Sequence, residues 1–584
     1  MCGMIGYVGS ALIAKKYIID GLRRLEHRGT EAAGVAIQSD QTLSFFKQGN
    51  PLVNIQLALD EIEEAKTAIG HTHWLIEEQM DRRSHLHGME EGRFAIVFNG
   101  TVKKWGRISK QQEDSDIETF FRYLERGAQE GRSIREMLQT FIQEVEGIYA
   151  FICLDVHTPN ILYAAHEQKN LCIAVSESAM MIGAEQRAFT EDFTEVIHLD
   201  SKELAIVQPK QYTVLKDGHP IKKEQHPLHF QKAEVALGNY ADYMTKEMDE
   251  QPGVLCELSR QYLKEDGTLN ISPAVVARLQ KAKRLVIIGS GTSYHAALIG
   301  KRMFERMAQL PTDVYESEEF LYNTPQLVEG TVCLAISRSG ETPSILESIK
   351  KMNRYNVPTI AITNEQQSSV VQFADESLWI HAGPELGITS TKVFVAKIAF
   401  LSMLAIALGR SEGMYDTFDV PKKFAITAQA IHSVLDKHQR FRTWLPALLM
   451  RKPNITVIAR GLDYAVAQEG ALKLRQIGSL HANAYVGGEL RYSPLALVQE
   501  KSIAIALITN KRNAKPMRKD IAEIRSYGTK VFVISMEGLD EEGDDFVLPL
   551  THPIMAPLVG IIPFQILGYY AAQLRRLDVN QPLY

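Results

Sequence analysis

Six consecutive residues, Ser337-Arg338-Ser339-Gly340-Glu341-Thr342, bring three hydroxyls and a guanidinium together beside a glycine, a set suited to holding a phosphate. Ahead of them TVCLAI is an apolar, β-branched run that predicts a parallel strand covered on both faces, and after them SILESIKKM resumes with helical spacing. At such a turn the first N–H groups of the helix lack an intrahelical partner and the dipole end is positive, so an anion is stabilised there. The turn alone is equally open to a plainer reading, in which Ser339 or Thr342 merely caps the helix.

The unit recurs. Leu285 to Ile288 runs into Gly289-Ser290-Gly291-Thr292-Ser293 and a helical stretch, and Ile455 to Ala459 runs into Arg460-Gly461-Leu462-Asp463 and YAVAQEGALKLRQI. The recurrence favours the anion-binding reading and predicts tandem doubly wound α/β domains with a ligand crevice at the strand C-termini.

Two further places carry reactive groups. Glu469, Lys473 and Gln476 stand at i, i+4 and i+7, one face of a helix. The first two are also compatible with an ion pair on a solvated helix face, worth about 0.3–0.5 kcal/mol. Cys2 becomes the N-terminal residue once the initiator methionine is removed, and its α-amino group, with an unperturbed pKa of about 8, can act as base for its own thiol. The alternative is a chance cysteine at the start of a first β-strand.

The elements that must position these groups fit an ordinary globular chain. With 584 residues, 45% hydrophobic and 23% charged, it is long enough for about three domains. Basic residues number 64 against 70 acidic, a net charge of -6, which argues against a nucleic-acid partner while leaving room for small anions. Five scattered cysteines without a CxxC pair argue for a reduced compartment and against a disulfide frame or a zinc site. The apolar stretch from Ile398 to Leu408 is shorter than the roughly 20 residues a membrane span requires and reads as a core helix. MCGMIGYVGS has no secretory pattern, so a cytoplasmic protein without membrane attachment, metal or organic cofactor is expected.

Met1-Cys2-Gly3, the Arg28-Gly29 turn followed by Ala32-Ala33-Gly34, the segment Gly70-His71-Thr72-His73-Trp74 and the strand end Asn99-Gly100 occur in the order found in class II glutamine amidotransferases, which this region resembles. The resemblance implies an N-terminal nucleophile αββα sandwich. In it Cys2 attacks the glutamine amide, while Asn99 and the Gly100 N–H form an oxyanion hole, each donor worth about 3 kcal/mol in the transition state. Arg28, His73, Trp74 and Asp116 would line the glutamine site, Asp116 holding the α-ammonium and Trp74 gating the ammonia path. His73 replaces the family's arginine, and a neutral imidazole cannot grip a carboxylate in bidentate fashion, which predicts a weakened hold on glutamine or another amide donor.

Asp242-Tyr-Met-Thr-Lys-Glu-Met-Asp-Glu-Gln-Pro252 resembles the segment joining glutaminase and sugar domains in the glutamine–fructose-6-phosphate amidotransferase (glucosamine-6-phosphate synthase) family, and with it the resemblance spans nearly the whole chain. It implies a glutaminase domain over 2–215, a linker over 216–265, SIS (sugar isomerase) domains over 266–415 and 430–574, and a short tail over 575–584. Ser293, Ser337, Arg338, Ser339 and Thr342 would then contact the phosphate of a phosphorylated ketose, Thr292 and Ser390 its hydroxyls, and Glu469 and Lys473 would be catalytic. Gln476 stands where the family moves a sugar proton with a glutamate, Tyr492 where it has a histidine that crosses between subunits, and Asp578-Val-Asn-Gln-Pro-Leu-Tyr584 where its tail runs on to a lysine. An amide cannot serve as the proton-moving base.

The resemblance therefore implies transfer of nitrogen from glutamine to a keto-sugar phosphate, in a homodimer joined through the SIS domains. The departures leave two alternatives: a phosphosugar isomerase or aminosugar-phosphate deaminase, and a sugar-phosphate-binding regulatory protein with weak catalysis.

Overall fold

The computed structural model describes residues 3–25, 32–39, 42–49, 64–73, 86–88, 92–111, 114–228, 237–264, 268–366, 368–411, 418–449, 454–492 and 502–580. Cys2, Arg28 and Trp74, and the side chain of His73, lie outside the described residues. The chain divides into two units, residues 1–236 and residues 237–583.

In the first unit the described residues form two antiparallel sheets, one of eight strands and one of seven. Gly3–Gly9 is central in the larger, pairing with Thr67–His73 on one side and Ala179–Gly183 on the other. Apolar residues from the facing sides of both sheets, among them Val8, Ile69, Val97, Ile152 and Ile182, form the core between them. The outer face of the first sheet packs on Ala14–Arg24, and that of the second on Asp116–Gln129 and Ile134–Glu144. Both of the latter helices begin with a reciprocal capping box, Ser115 with Glu118 and Ser133 with Glu136. The layers are α, β, β, α.

The second unit carries two five-stranded parallel sheets among the described residues. Thr312–Glu316, Arg284–Gly289, Thr331–Ser337, Thr359–Thr363 and Glu376–Trp379 lie in that order in one. Ala482–Val486, Ile455–Ala459, Ile503–Ile508, Lys530–Met536 and Phe546–Leu548 repeat the order in the other. Each strand order reverses direction beside the first strand, so the turn after that strand opens into a crevice. One continuous core joins the two sheets and takes in Lys392–Ser411, the helix that contains the apolar stretch from Ile398 to Leu408.

The structure departs from the expected linker over 216–265. His219–Ile221 and His226–Pro227 extend the sheets of the first unit. Tyr243–Asp249 and Gln251–Tyr262 are helices of the second unit, with Met244, Met248, Leu255 and Leu258 in its core. Charge and proline in that stretch mark one solvated face, while the buried face is carried by a few widely spaced apolar residues. The segment after 575 is likewise docked: Val579 is buried and Asn580 Oδ1 accepts from the Tyr243 N–H at 3.1 Å.

Candidate functional site

The turn after Thr331–Ser337 is organised from within. Ser337 Oγ accepts from the Gly340 N–H at 3.0 Å and lies 3.1 Å from Thr342 Oγ1, while Ser339 Oγ accepts from the Glu341 N–H at 3.2 Å. Thr342 is the residue before the helix Pro343–Arg354, and no side chain caps that helix, so the plain capping reading is not what the turn adopts. Gly340 is required: its φ is +66°, and a Cβ there would stand 2.0 Å from Ser368 Oγ.

The neighbouring turn starts the helix Thr292–Met307 from Gly291, whose φ of 52° and ψ of -122° are nearly repeated at Gly461 (63°, -126°) before Leu462–Gln476. In the second copy the turn is closed by its own side chains. Arg460 makes a bidentate pair with Asp520 at 2.7 and 3.0 Å, and Asp463 accepts from both the N–H and the hydroxyl of Thr509. Burial pushes the Asp463 carboxyl up to about 6. The second copy contributes its helix instead: Leu462–Gln476 packs against Thr292–Met307 and turns Glu469, Lys473 and Gln476 toward the first copy's loops.

There a buried polar cluster forms. Glu469 Oε1 accepts from Lys473 Nζ at 2.7 Å and Thr292 Oγ1 at 2.9 Å, and its Oε2 lies 2.6 Å from His295 Nδ1. Lys473 Nζ also donates to Thr389 Oγ1 at 2.6 Å and Thr292 Oγ1 at 3.2 Å, and Thr389 Oγ1 donates to Gln476 Oε1 at 2.9 Å. Burial opposes ionisation of Glu469, but the charge of Lys473 and the His295 contact outweigh it and bring the carboxyl down to about 2. The pair is wholly buried, which replaces the solvated-face alternative.

Around the cluster Glu385, itself buried, accepts from the N–H groups of Thr391 and Val393 at 2.8 and 3.0 Å and meets Arg338 Nη1 at 3.4 Å. Glu247 accepts from the N–H groups of Leu386 and Gly387, and burial beside the Glu385 charge pushes its carboxyl up to about 8. Lys397, fully buried, donates to Ser293 Oγ at 2.8 Å, and burial draws its ammonium down to about 8. Ser390 Oγ and Thr391 Oγ1 are buried without a hydrogen-bond partner among the described residues, as hydroxyls facing a polar ligand would be.

The structure thus brings together Thr292, Ser293, Ser390, Glu469, Lys473 and Gln476 with the turn bearing Ser337, Arg338, Ser339 and Thr342. Tyr492 is not among them: it is 81% exposed and no hydrogen bond joins it to the cluster. Sequence reasoning missed His295, Thr389, Lys397, Glu385 and Glu247. The signal for His295 was its place three residues after Thr292, one turn along the same helix face; the others have partners set by long-range packing.

In the first unit Asn99 is buried in Phe94–Lys104, and Lys169 Nζ donates to its Oδ1 at 3.3 Å, which leaves Nδ2 as the donor half of the amide. Gly100 follows with a φ of +144°, and a Cβ there would meet the Ile148 carbonyl at 2.0 Å. Asp116 opens its helix and accepts from the Val102 N–H at 2.8 Å and from Lys110 Nζ at 2.6 Å. Among the described residues no group of three His, Cys, Asp or Glu side chains converges as a metal ion would need.

The SIS domain family matches residues 278–407 and 448–542. Glutamine–fructose-6-phosphate aminotransferase (isomerizing) of Geobacillus kaustophilus (strain HTA426) is 32% identical over 591 residues, covering 100% of this chain and 98% of that protein. Its counterpart in Shouchella clausii (strain KSM-K16) is 33% identical over 596 residues with the same coverage. Among solved structures, the C-terminal domain of glucosamine-fructose-6-phosphate aminotransferase from Francisella tularensis superposes with a TM-score of 0.56 at 28% identity, covering 59% of this chain and 99% of that one.

Proposed function

This chain belongs to the glutamine–fructose-6-phosphate aminotransferase family, and from that premise we propose that it moves the amide nitrogen of glutamine to fructose 6-phosphate, giving glutamate and glucosamine 6-phosphate. The Cys2 thiolate attacks the glutamine Cδ, ammonia leaves, and water cleaves the thioester to glutamate. Asn99 Nδ2 and the Gly100 N–H receive the oxyanion of each tetrahedral intermediate, Lys169 fixing the orientation of the Asn99 amide. Arg28, His73, Trp74 and Asp116 hold the glutamine.

In the sugar unit the phosphate sits on the turn of Ser337, Arg338, Ser339 and Thr342 with Ser293, where helix N–H groups and hydroxyls donate to its oxygens. Thr292 and Ser390 hold sugar hydroxyls, the latter through an Oγ that has no hydrogen-bond partner among the described residues. Ammonia condenses with the C2 carbonyl and expels water. Glu469 and Lys473 fix the polar floor of the site, and Gln476 lies beside them.

The observation that carries this reading is the fully buried Glu469–Lys473 pair. It is tied through Thr292 to the helix that starts at the phosphate-facing turn. A charged pair placed there by the second half of the unit, and bridged by the Thr292 and Thr389 hydroxyls of the first, is poor economy for stability alone but is a prepared polar site for a sugar.

The test is direct: purified protein with glutamine and fructose 6-phosphate forms glucosamine 6-phosphate and glutamate in equal amounts. Absence of the aminosugar overturns the reading. We infer a dimer joined through the sugar unit from the resemblance at Tyr492, which takes the place of the family's histidine that crosses between subunits and whose side chain is exposed; sedimentation as a monomer would remove that part.

A further inference from the structure

Resting on the transferase reading, one step still lacks an agent. After ammonia condenses at C2, a proton must leave C1 and another must arrive at C2, and the amide of Gln476 cannot accept it. Lys473 donates to Glu469, Thr389 and Thr292, so its ammonium is fully engaged and has no lone pair. Thr292 and Thr389 are alcohols. Glu469 is ionised, but Oε1 is shared between Lys473 and Thr292 and Oε2 faces His295, which leaves it a weak base.

His295 remains. It lies in the first turn of Thr292–Met307 with its side chain 12% exposed. Its Nδ1 stands 2.6 Å from Glu469 Oε2. Against an ionised carboxylate that nitrogen carries the proton, so in the neutral ring the lone pair is on Nε2. Among the described residues Nε2 has no hydrogen-bond partner. A carboxylate that orients an imidazole through one nitrogen, leaving the other open, is the arrangement of a general base.

We propose that His295 Nε2 is the group that carries the proton from C1 to C2 of the sugar, with Glu469 as the residue that orients the ring. Starting from the protonated imine at C2, the C1–H bond breaks to Nε2. Its electron pair becomes the C1=C2 bond and the C=N pair settles on nitrogen as an amine. The imidazolium then returns its proton to C2, while the C1 hydroxyl releases its proton to solvent as the C1 carbonyl forms. Oxidation state and atoms balance without a co-reactant.

The experiment compares the full chain with His295→Gln. Both are given fructose 6-phosphate with glutamine in D2O, with hydrogen exchange at C1, glucosamine 6-phosphate, glutamate and sugar-phosphate affinity measured together. In His295→Gln, exchange and aminosugar formation should fall by about 10²–10⁴-fold, as for loss of a general base. Affinity for fructose 6-phosphate should stay within about threefold and glutamate release should continue, so that the two half-reactions come apart.

Retention of exchange and product in the variant overturns the proposal and leaves the transferase reading standing. Loss of affinity together with turnover also overturns it, since His295 then only holds the site's shape. Wild-type protein that exchanges C1 hydrogen without making aminosugar, with exchange lost in the variant, overturns the transferase reading alone. Wild-type protein that binds the sugar but does neither overturns both.

Discussion

Glu469 and Lys473 meet at 2.7 Å with neither side chain exposed to solvent. An i, i+4 pair on a solvated helix face would be worth a few tenths of a kcal/mol; a buried pair behaves differently, because either partner left alone is an uncompensated charge. Lys473→Met should therefore lower stability by about 3–5 kcal/mol in urea unfolding, and the double variant Lys473→Met/Glu469→Gln should be less destabilised than the single one.

The same carboxylate gives an acid limb. Glu469 is held at about 2 in the folded chain against 4.5 as its ordinary value. The unfolded chain therefore takes up the proton first as pH falls, so this contribution is present above pH 4.5 and is lost as pH falls toward 2. The difference in unfolding free energy between wild type and Glu469→Gln, followed across that range, should shrink accordingly.

Two other buried groups slope the opposite way to each other. Glu247, raised to about 8 by burial and the Glu385 charge, keeps a proton that the unfolded chain has already lost, so stability falls as pH rises from 4.5 to 8. Lys397, lowered to about 8 by burial, has released a proton that the unfolded chain keeps to 10.5, so stability rises from pH 8 to 10.5. Glu247→Gln should flatten the first limb and Lys397→Met the second, each read from denaturation midpoints across pH.

Gly340→Ala forces a side chain into a backbone with φ of +66°, against Ser368. It should cost about 1–3 kcal/mol of stability and weaken fructose 6-phosphate binding, while glutamine hydrolysis is unchanged. Urea unfolding, isothermal titration with fructose 6-phosphate and a glutaminase assay measure the three outcomes.

Cys2→Ala should abolish glutamate release and glutamine-dependent aminosugar formation, while ammonium salts supplied in place of glutamine still support synthesis. Synthesis that persists with glutamine in this variant would remove Cys2 from the reaction.

The phosphate turn was legible because a strand, a hydroxyl-rich turn and a helix are local patterns: TVCLAI became Thr331–Ser337, and SILESIKKM lies in Pro343–Arg354. The face shared by Glu469, Lys473 and Gln476 followed from helical spacing alone. What lay beyond reach was pairing across distance. Glu247 meets Leu386 and Gly387 more than a hundred positions on, and His295 finds Glu469 across two domains. Nothing in the periodicity of either helix marks such a partner. The stretch 216–265 misled for a related reason, since its charged residues are more numerous than the few apolar ones that dock it.

The core shared by the two parallel sheets has a consequence for how the sugar unit comes into being. Helix Lys392–Ser411 belongs to the first half by sequence, yet the core it enters includes Phe564, Leu567 and Ala571 near the far end of the chain. Gln251–Tyr262 and Thr292–Met307, both earlier in the chain, cover most of that helix, and during synthesis only the strip later met by Ala556–Gly560 must wait for more than a hundred further residues. That interval leaves an apolar strip exposed beside a first sheet whose five strands are already paired, a condition in which a chain aggregates or engages chaperones. A ribosome stalled after the first half should therefore hold an insoluble nascent domain, whereas the completed unit unfolds as a single cooperative body.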